Sequence, residues 1–237
     1  MADVHPLNIL VTGSSRGIGK VIVQALEGHN VVGHSSRGTN GTLAADLAEP
    51  RSTAMLWLEA LERLEGRIDV LINNAGIFED APVSLDDGEW QAQWERTLRV
   101  NLVAAAELCR YAVLHFRTVG GGRIVNISSR AAYRGDSPAH WHYAASKAGM
   151  IGMTKTIARG FAEENILAFA VCPGFTVTEM AQAYLEGRAG EKILADIPLG
   201  RVATADEVAE TVRWLAVDAP ASATGTVIDV NGASFVR

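Results

Sequence analysis

The chain has 237 residues, of which 48% are hydrophobic and 20% charged, and a net charge of -6; these proportions describe a folded globular protein and argue against disorder. No basic block occurs, so neither nucleic acid nor an anionic membrane is an expected partner. Cys109 and Cys172 lie far apart without a CxxC spacing, a pattern of reduced buried thiols rather than a zinc site or disulfide framework.

The first element in chain order is a strand at Leu7–Val11, too short for a signal peptide or a membrane span, so a cytoplasmic protein is expected. A helix from Gly17 to about Gly28 follows, with Ile18, Val21, Ile22, Ala25 and Leu26 on one face. Asn30–Gly33 reads as a second strand and Thr42–Asp46 as a third. The seven residues from Ser35 to Gly41 are rich in turn formers and too few for a crossover helix, which predicts a loop in its place. Next come a helix at Ser52–Leu64, a strand at Ile68–Ile72, a long helix over about Glu95–Phe116 and a strand at Arg123–Ile127. A helix at Tyr143–Glu163, a strand at Ile166–Val171, a helix at Asp206–Leu215 and a closing strand at Thr226–Val230 complete the series. Strands alternating with helices predict βαβ units and a parallel sheet, and the absence of any linker or repeat predicts one domain over residues 1–237.

Two segments carry chemistry. The first strand runs into Thr12-Gly13-Ser14-Ser15-Arg16-Gly17-Ile18-Gly19, a glycine turn opening a helix. Such a turn lets backbone approach a pyrophosphate, and the helix N-terminus offers free N–H groups. Tyr143 and Lys147 are spaced i, i+4, which places both on one helix face. A cation beside a phenol favours the phenolate, so the spacing predicts a tyrosine pKa moved down from about 10 and a side chain able to exchange a proton with an alcohol or carbonyl. Alone, this pair is common on solvated helices.

Taken together, the motifs resemble the short-chain dehydrogenase/reductase family. Thr12-Gly13-x-x-x-Gly17-x-Gly19 is similar to its coenzyme turn and Asn73-Asn74-Ala75-Gly76 to its second motif. Asn101, Ser129, Tyr143 and Lys147 follow the order of its catalytic tetrad, and Pro173-Gly174 with Thr176 and Thr178 resembles the motif after its sixth strand. The resemblance spans nearly the whole chain. It implies a single-domain α/β fold, a Rossmann-like doubly wound parallel sheet, with the crossover between strands 2 and 3 shortened to a loop. Within the family it is similar to beta-ketoacyl carrier-protein reductases.

By that resemblance Tyr143 donates and accepts the proton, Lys147 lowers its pKa and holds the nicotinamide ribose, Ser129 bonds the substrate oxygen and Asn101 anchors a water. Gly13, Gly17 and Gly19, with Ser15, Arg16 and Ile18 between them, would line the pyrophosphate. Asn74, Ala75 and Gly76 would lie near the adenosine ribose, Asp46 and Leu47 at adenine, and Pro173, Gly174, Thr176 and Thr178 at the nicotinamide. NAD binders commonly carry an acid at the end of the second strand; here the run is Gly33-His34-Ser35-Ser36-Arg37. Ser36 leaves room for a 2′-phosphate, and Arg37 and Arg16 could pair with it, so NADP(H) is expected over NAD(H). Ser129 and Tyr143 lie 14 positions apart, about one more than the family pattern, which predicts a small insertion within Ser137–His142.

The substrate walls expected on this basis are Tyr133, Arg134 and His140–His142 on one side. On the other is an amphipathic lid from Thr178 to about Ile197, with Met180 and Tyr184 toward the pocket or the core. The expected activity is hydride transfer between NADP(H) and a carbonyl or secondary alcohol. The alternatives are an NAD(H)-dependent sugar, polyol or cyclic-diol dehydrogenase and a non-catalytic nicotinamide sensor. Family members form homotetramers or homodimers through the two long helices; Ala144, Ala148, Gly149 and Gly152 permit close helix contact or serve the core.

Overall fold

Alternation along the strands decides the architecture. In β1 (Asn8–Val11), Ile9 and Val11 point to one side and Leu10 to the other, and all three are fully buried. A strand buried on both faces needs layers on both, which a parallel sheet with crossover helices supplies. The computed structural model describes residues 5–177, 191 and 194–237. Its main sheet holds β1, β2 (Asn30–Ser35), β3 (Leu43–Ala44), β4 (Val70–Asn73), β5 (Gly122–Ile127), β6 (Ile166–Pro173) and a last strand, β9 (Val227–Val230). The order is β3-β2-β1-β4-β5-β6-β9 and every pairing is parallel. Two short strands, β7 (Thr176–Val177) and β8 (Ala203–Thr204), pair apart from it.

Leu10, Leu71, Ile124 and Ala168 face α2 (Ser52–Arg63), α4 (Ala104–Val119) and α6 (Trp141–Phe161). Ile9, Val11, Ile72, Val125 and Phe169 face α1 (Gly17–Ala25) and α7 (Ala205–Arg213). The strand order reverses between β1 and β4, and a crevice opens beyond the carboxyl ends of strands at such a point. The glycine turn and the Asn73–Gly76 run leave β1 and β4 there.

The loop expected between β2 and β3 is present. It holds one 3₁₀ turn, Thr39–Gly41, and Gly38, Asn40 and Gly41 have φ of 65°, 58° and 78°. Three left-handed residues within four positions exclude an α-helix. The long helix differs from expectation: α3 (Asp87–Leu98) begins eight residues before Glu95, because the Asp86 side chain caps it by accepting from the Glu89 N–H at 2.9 Å. Between α3 and α4 the chain makes one π-helical turn, Arg99–Val103, which the apolar periodicity conceals. Elsewhere α1 stops at Ala25 rather than Gly28, and β6 runs on to Pro173. Among the described residues no helix is long and apolar enough to cross a membrane, and no His, Cys, Asp and Glu cluster is placed to hold a metal.

Candidate active site

The glycine turn is built by its contact with β4. Thr12 Oγ1 accepts from the N–H groups of both Asn74 and Ala75 at 3.0 Å, and Asn74 Nδ2 donates to the carbonyls of Thr12 and Gly13 at 3.0 and 2.9 Å. Gly13 has φ +66°, and a Cβ there would lie 2.7 Å from Ala75 Cα; one on Gly19 would overlap the Gly13 carbonyl. Glycine is therefore required at both positions. The Asn74 amide nitrogen thereby braces the turn.

A cavity of about 580 Å³ opens over this turn. Gly13, Ser15, Arg16, Gly17, Ile18, Gly19, Ser36, Arg37, Asp46, Leu47, Asn74, Ala75 and Gly76 all line it. Ser36, Arg37 and Arg16 are exposed, and neither arginine forms a salt bridge among the described residues. The cavity also takes in His34, Ser35, Ile77, Arg96 and Val100, which no sequence motif marks. Asp46 Oδ1 accepts from the Ala48 N–H at 2.9 Å, which fixes the turn leading out of β3.

A second cavity of about 520 Å³ shares Arg16, Ile18, Asn74, Gly76 and Ile77 with the first. Ser129, Tyr143, Lys147, Pro173, Gly174 and Thr176 line it, with Phe78 and Glu79. Side chains here come from four separate elements. Ser129 follows β5, and its Oγ accepts from the Ala131 N–H at 3.1 Å at the start of α5 (Ala131–Arg134). The neighbouring Ser128 hydroxyl donates instead to the Lys147 carbonyl at 2.8 Å, pinning α6 to β5.

Lys147 is buried, its ammonium donating to the Ile127 carbonyl at 2.8 Å and lying 5.8 Å from the Tyr143 ring centroid. Burial pushes the Tyr143 phenol up to about 12, with the Ser129 hydroxyl pulling the other way. Burial also moves Lys147 down to about 8. The expected fall of the tyrosine pKa is thus reversed in this structure. The Lys147 charge is directed at a strand carbonyl, and desolvation favours the neutral form of both groups.

Asn101 lies fully buried in the π turn and lines neither cavity. Its Oδ1 accepts from the Ile77 N–H at 2.8 Å and its Nδ2 donates to the Ile77 carbonyl at 2.9 Å. A π turn in a helix often marks a functional position; here it turns Asn101 toward the chain leaving β4. A Cβ on Gly76 would sit 3.4 Å from Asn101 Oδ1 and 3.5 Å from Lys147 Nζ, so the two side chains flank the same stretch of backbone.

Tyr133, Arg134 and His140–His142, the expected substrate wall, do not line the second cavity. Tyr133 stacks on Phe235, and Arg134 bonds Asp196 and the Ser234 carbonyl; both are engaged with the C-terminal segment. His142 is fully buried beside Trp94. His140 instead stacks flat on Phe78, with ring centroids 3.7 Å apart, while its Nδ1 lies 2.6 Å from Ser137 Oγ and its Nε2 3.0 Å from Asp80. Phe78 is 55% exposed and meets Tyr143 edge-on at 4.8 Å. Sequence reasoning missed Phe78; its place immediately after the Asn-Asn-Ala-Gly-Ile run was the available signal. Thr178 and the expected lid residues Met180 and Tyr184 lie outside the described residues.

A doubly wound parallel sheet with a glycine-turn cavity beside a partly buried Tyr143 and a buried Lys147 defines a Rossmann-like oxidoreductase. Residues 21–233 match the family model described as Enoyl-(Acyl carrier protein) reductase. An acetoacetyl-CoA reductase of Shinella zoogloeoides is 36% identical over 95% of this chain and 97% of its own length. The 3-oxoacyl-[acyl-carrier-protein] reductase FabG of Thermotoga maritima is 37% identical over 94% and 95%. Among solved structures, one from Beutenbergia cavernae, described as a candidate NAD(P)-dependent gluconate 5-dehydrogenase with NADP bound at low occupancy, aligns with a TM-score of 0.87. It shares 30% identity over 97% of this chain and 96% of that one. This chain belongs to the short-chain dehydrogenase/reductase family and is an oxidoreductase of carbonyl or alcohol substrates.

Proposed function

We propose that the protein transfers hydride between NADP(H) and a carbonyl or secondary alcohol, with Tyr143 as the proton donor and acceptor. The observation that carries this reading is the second cavity, where Tyr143, Ser129 and Lys147 meet beside the glycine-turn cavity. The residues fit a dinucleotide, because a cavity of about 580 Å³ opens over the glycine turn at the start of α1, with Arg16 and Arg37 on its wall. When bound, the coenzyme supplies or accepts the hydride. Tyr143 holds the proton that the substrate oxygen receives in reduction, and a phenol raised to about 12 keeps that proton at neutral pH. Ser129 stabilises charge on the same oxygen. Lys147 supplies the nearby positive charge, and Asn101 fixes the backbone between them by its paired bonds to Ile77.

The preference for NADP(H) is supported by Arg16 and Arg37 over the cavity and by the lack of an acid in Gly33–Arg37. NADP in the Beutenbergia cavernae neighbour supports the same reading, and NAD(H) is the alternative. We assign Phe78 to the substrate wall beside Tyr143. The named relatives favour β-keto thioesters, while the structural neighbour favours a keto-sugar acid. The assembly is proposed to be a homotetramer or homodimer in the cytoplasm. Ala148 and Gly152 are exposed on α6, whereas Gly149 packs on Leu102 within the chain.

The test is a panel of β-keto thioesters, simple ketones and keto-sugar acids assayed with NADPH and NADH. NADPH is expected to give the higher kcat/KM, with Arg37→Ala lowering it by about tenfold or more, the scale of a lost charge-assisted bond. Phe78→Ala is expected to change KM for the carbonyl substrate and leave KM for the coenzyme alone. Equal or better efficiency with NADH would remove the NADP reading, and binding without oxidation of either coenzyme would make the protein a sensor.

A further inference from the structure

We propose that His34 is a positioning residue for the coenzyme site, holding the phosphate-binding turn against the adenine-side strand only as the neutral Nε2–H imidazole, so that its protonation weakens coenzyme binding. This rests on reading the larger cavity as the coenzyme site. His34 is 2% exposed near the end of β2 and lines that cavity. Its Nδ1 accepts from the Gly13 N–H at 3.3 Å, and its Nε2 lies 2.8 Å from the Ala45 carbonyl. An N–H donor on one side and a carbonyl acceptor on the other fix the tautomer: the proton must sit on Nε2. The His34 carbonyl accepts from the Ser14 N–H at 2.8 Å and from Ser14 Oγ at 3.3 Å. Side chain and backbone of one residue therefore both hold the turn. Ala45, its other anchor, immediately precedes Asp46 and Leu47 in the cavity wall.

An imidazolium carries two donors. Its Nδ1–H would face the Gly13 N–H, and that bond would have to open with the turn shifting away. Burial holds the His34 pKa below its ordinary 6.5, opposed by the Ala45 carbonyl and by the Asp46 charge. The other charged groups on the cavity are Arg16, Arg37 and Arg96, which do not titrate in this range. The sign is fixed: a depressed base is neutral at pH 7, and its bond to Gly13 is lost as pH falls through the depressed value. Linkage then requires that bound coenzyme depress the His34 pKa further.

The test is the dissociation constant of NADH and NADPH, by fluorescence, from pH 8 to 5 for the wild type, His34→Asn and His34→Ala. NADH separates the effect from the 2′-phosphate of NADPH, a phosphate monoester that itself titrates near about 6. The wild type is expected to lose NADH affinity by up to roughly tenfold per pH unit below the His34 pKa. Both variants are expected to be flat. The carboxamide oxygen of His34→Asn can accept from Gly13 without titrating, so that variant is expected within a few-fold of wild type at pH 8 and His34→Ala weaker throughout. Because either substitution at a buried site could unfold the chain, the wild type has its own readout. Ring ¹⁵N shifts are expected to show the Nε2–H tautomer and a pKa that drops on adding NADH. NADH affinity that stays flat where the ring ¹⁵N shifts show His34 becoming protonated, a His34→Ala variant with wild-type pH dependence, or a His34 pKa indifferent to NADH would each overturn the proposal. Failure of both dinucleotides to bind at any pH would instead overturn the coenzyme reading, and this inference with it.

Discussion

The two cavities are assembled in different ways. The glycine-turn cavity is made largely of backbone and short side chains at the ends of β1, β2 and β4, and its shape depends on what is missing, the Cβ atoms of Gly13 and Gly19. The second cavity is lined from α6, the end of β5, the loop after β4, the end of β6 and, at Arg16 and Ile18, the glycine turn itself. Both are held by contacts between elements far apart in the chain: Thr12 with Asn74 and Ala75 and Gly13 with His34 in the first, Ser128 with Lys147 and Lys147 with Ile127 in the second. A site of the first kind binds by shape and N–H groups, whereas one of the second kind must bury ionisable groups at a cost in desolvation, as the opposed shifts of Tyr143 and Lys147 show.

Three variants sharpen this contrast, beginning with the largest effect. Tyr143→Phe keeps the ring and its edge-on contact with Phe78 but deletes the transferable proton. Turnover is expected to fall by about 10²- to 10⁴-fold with the coenzyme dissociation constant nearly unchanged. A Phe variant of wild-type rate would remove Tyr143 from the chemistry. Gly19→Ala acts on the other half, since its methyl would overlap the Gly13 carbonyl and crowd Asn74. Coenzyme affinity is expected to drop by about tenfold or more, by the scale of overpacking, and isothermal titration reads it; unchanged affinity would mean that the turn does not hold the coenzyme.

The smallest effect concerns stability. Lys147 titrates at about 8 in the folded chain against an ordinary 10.5. Between those values the unfolded chain binds more protons, so the folded state gains stability as pH rises from about 8 toward 10.5. Below pH 8 the full cost of the buried ammonium is present. Lys147→Met is expected to flatten this slope in melting curves of the coenzyme-free protein; parallel curves for variant and wild type would show that burial does not depress Lys147.

The same contrast explains how much of the site was legible in the sequence. Of the motif, Gly13 and the run Ser15 to Gly19 line the first cavity while Thr12 and Ser14 are buried behind it, because a strand–turn–helix with glycines at fixed offsets permits few backbone paths. The loop that replaces a crossover helix was legible for a similar reason: seven residues rich in Gly, Ser and Asn cannot make the helix. The reactive half was legible only as a list of residue types. Ser128 and Ser129 are equivalent in sequence and both line the second cavity, yet packing turns the Ser128 hydroxyl to the Lys147 carbonyl and the Ser129 hydroxyl to the Ala131 N–H. His142 is hidden and His140 stacks on Phe78, placements at the start of α6 that depend on packing across elements.

By itself, then, the sequence determined the order of strands and helices, the glycine turn and the i, i+4 spacing of Tyr143 and Lys147, since these follow from local backbone geometry and apolar periodicity. Tertiary structure alone decided which groups meet across the sheet. It set Phe78 against Tyr143, locked Asn101 onto Ile77, bonded His34 to Gly13 and aimed the Lys147 ammonium at the Ile127 carbonyl. It also set the protonation of Tyr143 and Lys147, because desolvation depends on what surrounds a charge in space and not on its neighbours along the chain.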